Sequence, residues 1–357
     1  MPDDGDLTLK AGGQVIEGWT SVRVTAGIER CPRDFAVSMT ARYPGELETV
    51  TVAPGDPCEV RIGGDLVVTG YIDRLLPTLE AGEHTIQVVG RGKCEDMVDC
   101  SAEWPSNQIS NSSILSIAQK LAAPYGISVE GIGDMGNPVP RFNVIWGETA
   151  YDVIERVARY EALLVYESPS GSLVLSRVGS ASHASGFTEG QNVQRAAPIF
   201  AADQRYSEYV ARMLDFSLAD IAGVGDIIET VVDKGIKRHR LLYVIAEGGD
   251  TANYAITRQR AEWEAARRAG RSFNVTVTVD SWRDSAGKLW TPNQFAPVDL
   301  PTVKVAKQNW VIGEVSYIRD ERGTRADVTL MPPEAFQPAP FLLVPFLRGV
   351  DTPDAGP

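Results

Sequence analysis

A chain of 357 residues with 43% hydrophobic and 23% charged content has ordinary globular composition and is long enough for two or three domains, each with a core of its own. Its formal net charge of −13, from 34 Lys and Arg against 47 Asp and Glu, argues against a protein that grips nucleic acid by neutralising phosphates, though such a chain can line a passage that DNA crosses without sticking. The acidic start Met1-Pro2-Asp3-Asp4-Gly5-Asp6 has no apolar segment, and the longest apolar run, residues 341–347, is interrupted by Pro345, so neither a secretory leader nor a membrane anchor is expected.

The first hundred residues read as strands. Residues 21–28 alternate, with Val22, Val24 and Ala26 on one face, and residues 35–40 alternate through Phe35, Val37 and Met39. Residues 59–62, the pair Gly63-Gly64 and residues 66–69 predict a hairpin, because paired glycines supply the positive φ angles of a tight turn. Residues 85–89 complete a set of short strands that argues for a small barrel or sandwich.

After Cys100 the pattern changes. Ser110-Asn111-Ser112-Ser113 offers caps to a helix with apolar positions Ile114, Ile117, Ala118 and Leu121, and Pro124 stops it. A second helix begins near Thr149, whose spacing to Asp152 resembles a capping box, and buries Val153, Ile154, Val157 and Ala158. A hairpin over 163–166 and 173–175 turns at Pro169-Ser170-Gly171, so residues 101–178 read as a small α+β domain.

Residues 179–190, rich in Ser, Gly and Ala, read as a linker. Strands follow at 206–213, 227–232 and 241–246, then a helix over about 251–269 ended by Gly270. Arg258–Glu262, Arg260–Glu264 and Glu264–Arg268 would give it a solvated, ion-paired face. Residues 273–279 alternate as a half-buried strand should. A duplication is suggested where Pro54 precedes Val67-Val68-Thr69-Gly70-Tyr71-Ile72 and Pro292 precedes Trp310-Val311-Ile312-Gly313-Glu314-Val315. The alternative is that β-hairpins simply resemble one another.

The motifs that carry chemistry fail on context. Gly131-Ile132-Gly133-Asp134-Met135-Gly136 matches G-x-G-x-x-G, but Pro138 and Pro140 forbid the helix that would receive a pyrophosphate. Gly90-Arg91-Gly92-Lys93 lacks the first glycine and the Ser or Thr of a phosphate loop. His84, His183 and His239 have no second ligand at helical or loop spacing. Glu95–Asp96 and Asp96–Asp99 are pairs that an acidic chain produces by chance, and Arg267, Arg268 and Arg271 read as a charge cluster at a helix end. Cys31, Cys58, Cys94 and Cys100 read as reduced thiols, and a Cys94–Cys100 disulfide is neither required nor excluded. No catalytic, cofactor-binding or metal residue is expected.

Read together, the motifs point to a family. Pro54-Gly55-Asp56, Gly70-Tyr71-Ile72-Asp73, Gly90-Arg91-Gly92-Lys93 and Asp96-Met97-Val98-Asp99 resemble the first barrel of Mu-like phage baseplate hub proteins. Gly147-Glu148-Thr149-Ala150-Tyr151-Asp152 through Leu163-Leu164-Val165-Tyr166 and Gly171 resembles the family's middle region. Glu189-Gly190-Gln191-Asn192, Ala261-Glu262-Trp263-Glu264 and Trp282-Arg283-Asp284 through Leu289-Trp290 continue in the family's order, with Gly92 and Met97 standing where Ser and Leu are expected. The resemblance covers roughly residues 15–336.

It implies a β-rich α+β fold, similar to the hubs of T-even phages and of type VI secretion spikes. Two similar tube-type β-barrels (1–100 and 179–336, the second with the helix near 251–269 inserted) would flank the α+β domain at 101–178. A Pro-rich tail, 337–357, would follow, its apolar run held for an adjacent subunit or the spike. The implied assembly is a homotrimeric, pseudo-six-fold ring in the virion's tail baseplate, put together in the host cytoplasm. Its partners would be copies of itself, the central spike protein, the tail tube and other baseplate proteins, with DNA only as cargo and no cofactor. A rival reading takes Gly147-Glu148-Thr149 and its helix as a LysM-like module of a peptidoglycan-binding or wall-degrading tail protein; that module needs a second helix where this sequence has a hairpin.

Overall fold

The computed structural model describes residues 6–40, 52–81, 83–159, 161, 163–179, 181–214, 226–246 and 254–336. The tail 337–357 and the expected helix start at Thr251 lie outside the described residues.

The chain is β-rich. Its first part contains β1 (Leu7–Ala11), β2 (Gln14–Ile16), β3 (Ser21–Gly27), β4 (Asp34–Thr40), β5 (Pro57–Ile62), β6 (Asp65–Glu80) and β7 (Glu83–Gly92). Gly63, at φ 58°, turns the β5–β6 hairpin at the predicted place, with Ile62 opposite Asp65. After α1 (Glu95–Asp99) comes a module of β8 (Gln108–Ser112), α2 (Ile114–Ala122), β9 (Val129–Ile132), β10 (Val139–Asn143), α3 (Ala150–Ala158), β11 (Leu164–Glu167) and β12 (Leu173–Ser176). Both α2 and α3 bury the stripes their spacing predicts. Ser113 caps α2 by accepting the Ser116 N–H, and Thr149 and Asp152 close a capping box on α3. These residues share one core, from Cys94 to Leu175.

The last part contains β13 (Phe187–Thr188), β14 (Val193–Phe200), β15 (Glu208–Leu214), β16 (Asp226–Val232), β17 (Leu241–Ile245), α4 (Tyr254–Arg271), β18 (Phe273–Val279), β19 (Phe295–Leu300), β20 (Val305–Asp320) and β21 (Gly323–Met331). In β18 the valines 275, 277 and 279 are buried while Asn274 and the threonines between them are only half-buried, the period-two signature of a strand with one wet face.

One sheet runs through both parts in the order β14-β18-β21-β20-β3-β4-β7-β6-β5-β1-β2, with β19 on β20 and β13 on β19. The order repeats within it: β3-β4-β7-β6-β5 matches β14-β18-β21-β20-β19, and every one of these contacts is antiparallel. The registers also agree. Ile72 opposes Gly90 and Gly90 opposes Phe35; Ile312 opposes Leu330 and Leu330 opposes Val275, so three strands correspond at a constant separation of 240 residues. Both long strands carry a bulge seven residues before the hairpin, at Asp73 and at Gly313. Gly70 therefore corresponds to Trp310, three residues short of Gly313, with which the sequence pattern aligns it. Glycine at 70 answers a different need: a Cβ there would lie 1.8 Å from the Arg91 carbonyl oxygen.

Three readings change. The strands expected at 206–213, 227–232 and 241–246 exist, but they form a separate sheet, β16-β15-β17, inserted between β14 and β18 and covered by α4. Gly270 does not end its helix, which runs to Arg271; a Cβ at 270 would lie 1.9 Å from that of Ala335, so glycine lets the Pro333–Phe336 turn pack onto α4. The expected linker 179–190 is pinned to the sheet, with Gly179 donating to Asn293 Oδ1 and β13 pairing β19.

Candidate assembly interface

The motif residues singled out in the sequence serve the fold. Residues 131–136 lead from β9 into a turn with Gly133 and Gly136 at positive φ, and the next element is β10, a strand that offers no helix N-terminus. Gly90 and Gly92 end β7 where a Cβ would strike the Phe35 ring or the Glu167 carboxylate. Arg267 lies 3.6 Å from Glu29 and from Glu155, Arg268 pairs with Glu264 and Arg271 with Glu29, so carboxylates already occupy this basic cluster. The α4 ion pairs form as predicted, but Arg260 and Glu264 are each only 13% exposed, so that face is largely covered by protein. Burial acting on Glu264 is outweighed by Arg260 and Arg268, which hold its carboxyl below the usual range. The four cysteines are free thiols, with Cys94 buried and Cys100 exposed. Among the described residues no three His, Cys, Asp or Glu side chains gather as a metal site would require.

Sequence reasoning missed the buried polar clips, whose partners are far apart in the chain. Glu167 accepts the N–H groups of Arg33 and Cys94, both at 2.8 Å, while Arg33 Nε donates to the Glu167 carbonyl and its guanidinium to the Val67 carbonyl. This joins the α+β module to the sheet. Burial pushes the Glu167 carboxyl up and Arg33 down, against the hydrogen bonds and opposite charge that favour both ionised forms. A more exposed and more local cluster has Arg91 holding Asp73, Glu95 and Asp99; burial and the Asp73 charge push Glu95 up to about 8. His183 lies 3.0 Å from Asp284, the outline of half a catalytic triad. Its Nε2, however, accepts the Thr291 N–H, which leaves the proton on Nδ1 facing Asp284 and no nitrogen for a nucleophile.

The two repeats meet edge to edge. Val315, Ser316, Tyr317, Ile318 and Arg319 of β20 oppose Ala26, Thr25, Val24, Arg23 and Val22 of β3. The Thr25 and Ser316 hydroxyls are 3.1 Å apart, Ile28 donates to the Gly313 carbonyl, and Arg30 links Asp34 to Glu314. One face of the contact is dry, with Val22, Val24, Ala26, Val315 and Tyr317 buried, while Arg23 stays exposed on the other. Large apolar side chains are exposed elsewhere, among them Leu76 and Leu79 on β6, Ile199 and Phe200 on β14, and Trp146 in the loop before α3.

Comparison with known proteins matches this architecture. Residues 6–92 fit the N-terminal domain model of Mu phage baseplate assembly protein GpP-like proteins, residues 94–177 the second domain of baseplate hub protein gp44-like proteins, and residues 253–339 the fourth domain of GpP. Baseplate hub protein gp44 of Escherichia phage Mu is 31% identical over 342 residues, covering 92% of this chain and 88% of gp44. The 43 kDa tail protein of prophage MuSo2 from Shewanella oneidensis is 31% identical with a TM-score of 0.81, covering 93% of this chain and 99% of that one. The E. coli type VI secretion component c3393, itself similar to T4 tail proteins gp27 and gp5, shares the fold at 10% identity and a TM-score of 0.57, over 94% of this chain and 80% of its own. The architecture and these matches define a β-rich structural protein of a phage-type tail. Within that class, the chain belongs to the Mu-type baseplate hub family.

Proposed function

We propose that this chain is the central hub of a contractile tail baseplate, acting as a homotrimer without catalysing a reaction. The observation that carries this reading is the strand order repeated at a separation of 240 residues. Three such chains present six similar half-sheets, which satisfies a six-fold tail tube on one side and a three-fold spike on the other. In this reading residues 1–100 and 179–336 supply the two tube-type barrels, and 101–178 a module outside or below the ring. DNA passes through the centre. A net charge of −13 fits a wall that is neutral or negative, since a basic wall would bind the phosphates and stall them.

The test is the mass of the purified chain in solution, alone and with tube and spike proteins. Three copies per particle, and a particle that bridges tube to spike, is the expected result; a chain that stays monomeric with both partners present overturns the reading. Cell-wall, nucleotide or nucleic-acid hydrolysis abolished by a single carboxylate substitution would overturn the non-catalytic part.

A further inference from the structure

Spacing along the chain makes Cys100 the nearest candidate partner for Cys94, but the fold puts a different thiol beside it. Cys100 closes the far end of α1 and is exposed, whereas Cys94 precedes that helix and is buried. Cys31 approaches Cys94 from the loop between β3 and β4.

The backbone sets up the encounter. β4 and β7 pair without a bulge from Thr40 opposite Thr85 to Asp34 opposite Arg91. Gly92 then donates to the Arg33 carbonyl at 2.9 Å, which carries the same register one rung further. Cys31 stands three residues before Asp34 and Cys94 three residues after Arg91, so the two fall opposite each other in the continuation of that ladder. Past the last rung a carboxylate clamps both segments: one Glu167 oxygen accepts the Arg33 N–H and the other the Cys94 N–H, each at 2.8 Å. The side chains meet as well. Cys94 belongs to the core of the α+β module, and Cys31 packs against that core. Hydrogen bonding with the Cys31 thiol, and then burial, holds the Cys94 thiol far above its usual range. Cys31 is only half-buried, which lets a small reagent reach it.

We propose that Cys31 and Cys94 form a redox site, closed by a small-molecule disulfide such as oxidised glutathione into a bond that bolts the first repeat to the α+β module. The more exposed partner reacts first. The Cys31 thiol loses its proton to water, and its thiolate attacks one sulfur of the reagent, whose S–S bond breaks to release one thiolate. Cys94 then loses its proton and attacks the Cys31 sulfur, expelling the other half of the reagent as a second thiolate. Both released thiolates take up a proton from water, so two protein thiols are oxidised and one reagent disulfide is reduced to two thiols. The reluctance of Cys94 to ionise makes the second step the slower one. The bond closes the loop from 31 to 94 beside the Arg33–Glu167 clip, making covalent a joint that hydrogen bonds otherwise hold. The pairing stands on this chain's own geometry and does not depend on the hub reading.

The test takes the full chain, reduced and then freed of reductant, and incubates it with oxidised glutathione at mildly alkaline pH. Acid quenching, alkylation and mass mapping without reduction follow. Two of the four thiols should disappear, with the peptides that hold Cys31 and Cys94 linked. The Tm should rise by about 5–10 °C and fall back on adding dithiothreitol. Cys31→Ser, a change at a half-buried site, should keep Cys94 reduced and show no rise, whereas Cys100→Ser should still form the link. Four free thiols, a Cys94–Cys100 link, or glutathione left on Cys31 with Cys94 unreacted would each overturn the pairing. A Cys31–Cys94 link that leaves Tm unchanged would overturn its role as a bolt.

Discussion

At Glu167 a single carboxylate satisfies two backbone donors, those of Arg33 and Cys94, and sits beside the buried Arg33 side chain. Replacing Glu167 with Ala strands both N–H groups and removes the opposite charge beside a buried guanidinium, and is expected to lower stability by about 3–5 kcal/mol in denaturant titrations, against under about 1 kcal/mol for an exposed pair such as Arg61–Glu59. His183 sets a pH dependence. Burial holds its pKa below the usual 6.5, so as pH falls through that value the unfolded chain binds a proton that the folded chain refuses, and stability drops. Asp284 acts at lower pH. Burial would raise it, but N–H donors and His183 hold it low, so its contribution is present above the ordinary aspartate pKa near 3.8 and is lost as pH falls below it. Thermal melts should decline from about pH 7 to 5, and His183→Asn should flatten that decline; an unchanged slope would remove His183 as its source. Neither clip was legible in the sequence, because Glu167 lies 134 residues from Arg33 and His183 101 residues from Asp284.

Elements whose information is local were legible. Gly63-Gly64 turns its hairpin, Thr149 and Asp152 cap α3, and the alternation in β18 announces one buried face. Illegible was which sheet a strand joins: β15, β16 and β17 have strand composition, yet their partners are one another and α4. Gly270 shows the same limit, since a glycine near a helix end reads as a stop whether it ends the helix or admits a neighbour. Gly270→Ala gains about 1 kcal/mol of helix propensity but forces the Pro333–Phe336 turn away, and overpacking of that kind costs about 1–3 kcal/mol. A net loss of stability is expected, together with faster proteolysis near residue 333. A stabilised variant would show that the turn yields at no cost.

For the whole molecule, the repeat was half-legible. The two segments are recognisable as alike, but anchoring them on Gly70 and Gly313 sets them three residues out of step, because glycine answers a close backbone approach in one strand and a bulge in the other. Only the ladder registers give the separation of 240. The apolar run 341–347 belongs to this scale too, as an expected contact with an adjacent subunit or the spike. Deleting residues 338–357 should weaken trimer formation or spike binding in co-sedimentation; if both persist unchanged, that role for the tail is wrong.

The junction of β3 with β20 also sets an order of events during synthesis. Thr25 must wait for Ser316, 291 residues later, and at about 5–20 residues per second that wait lasts roughly 15–60 s. Throughout it, β4 can already cover one edge of β3 while the other stands open, a template for any passing strand. Arg23 sits on that strand beside Asp34 and stays 45% exposed in the finished chain, placing charge on the wet face of an edge whose other face Val22, Val24 and Ala26 make apolar. The nascent first repeat is therefore where misassembly between neighbouring ribosomes would begin, and neutralising Arg23 should reduce soluble yield before it alters the finished protein.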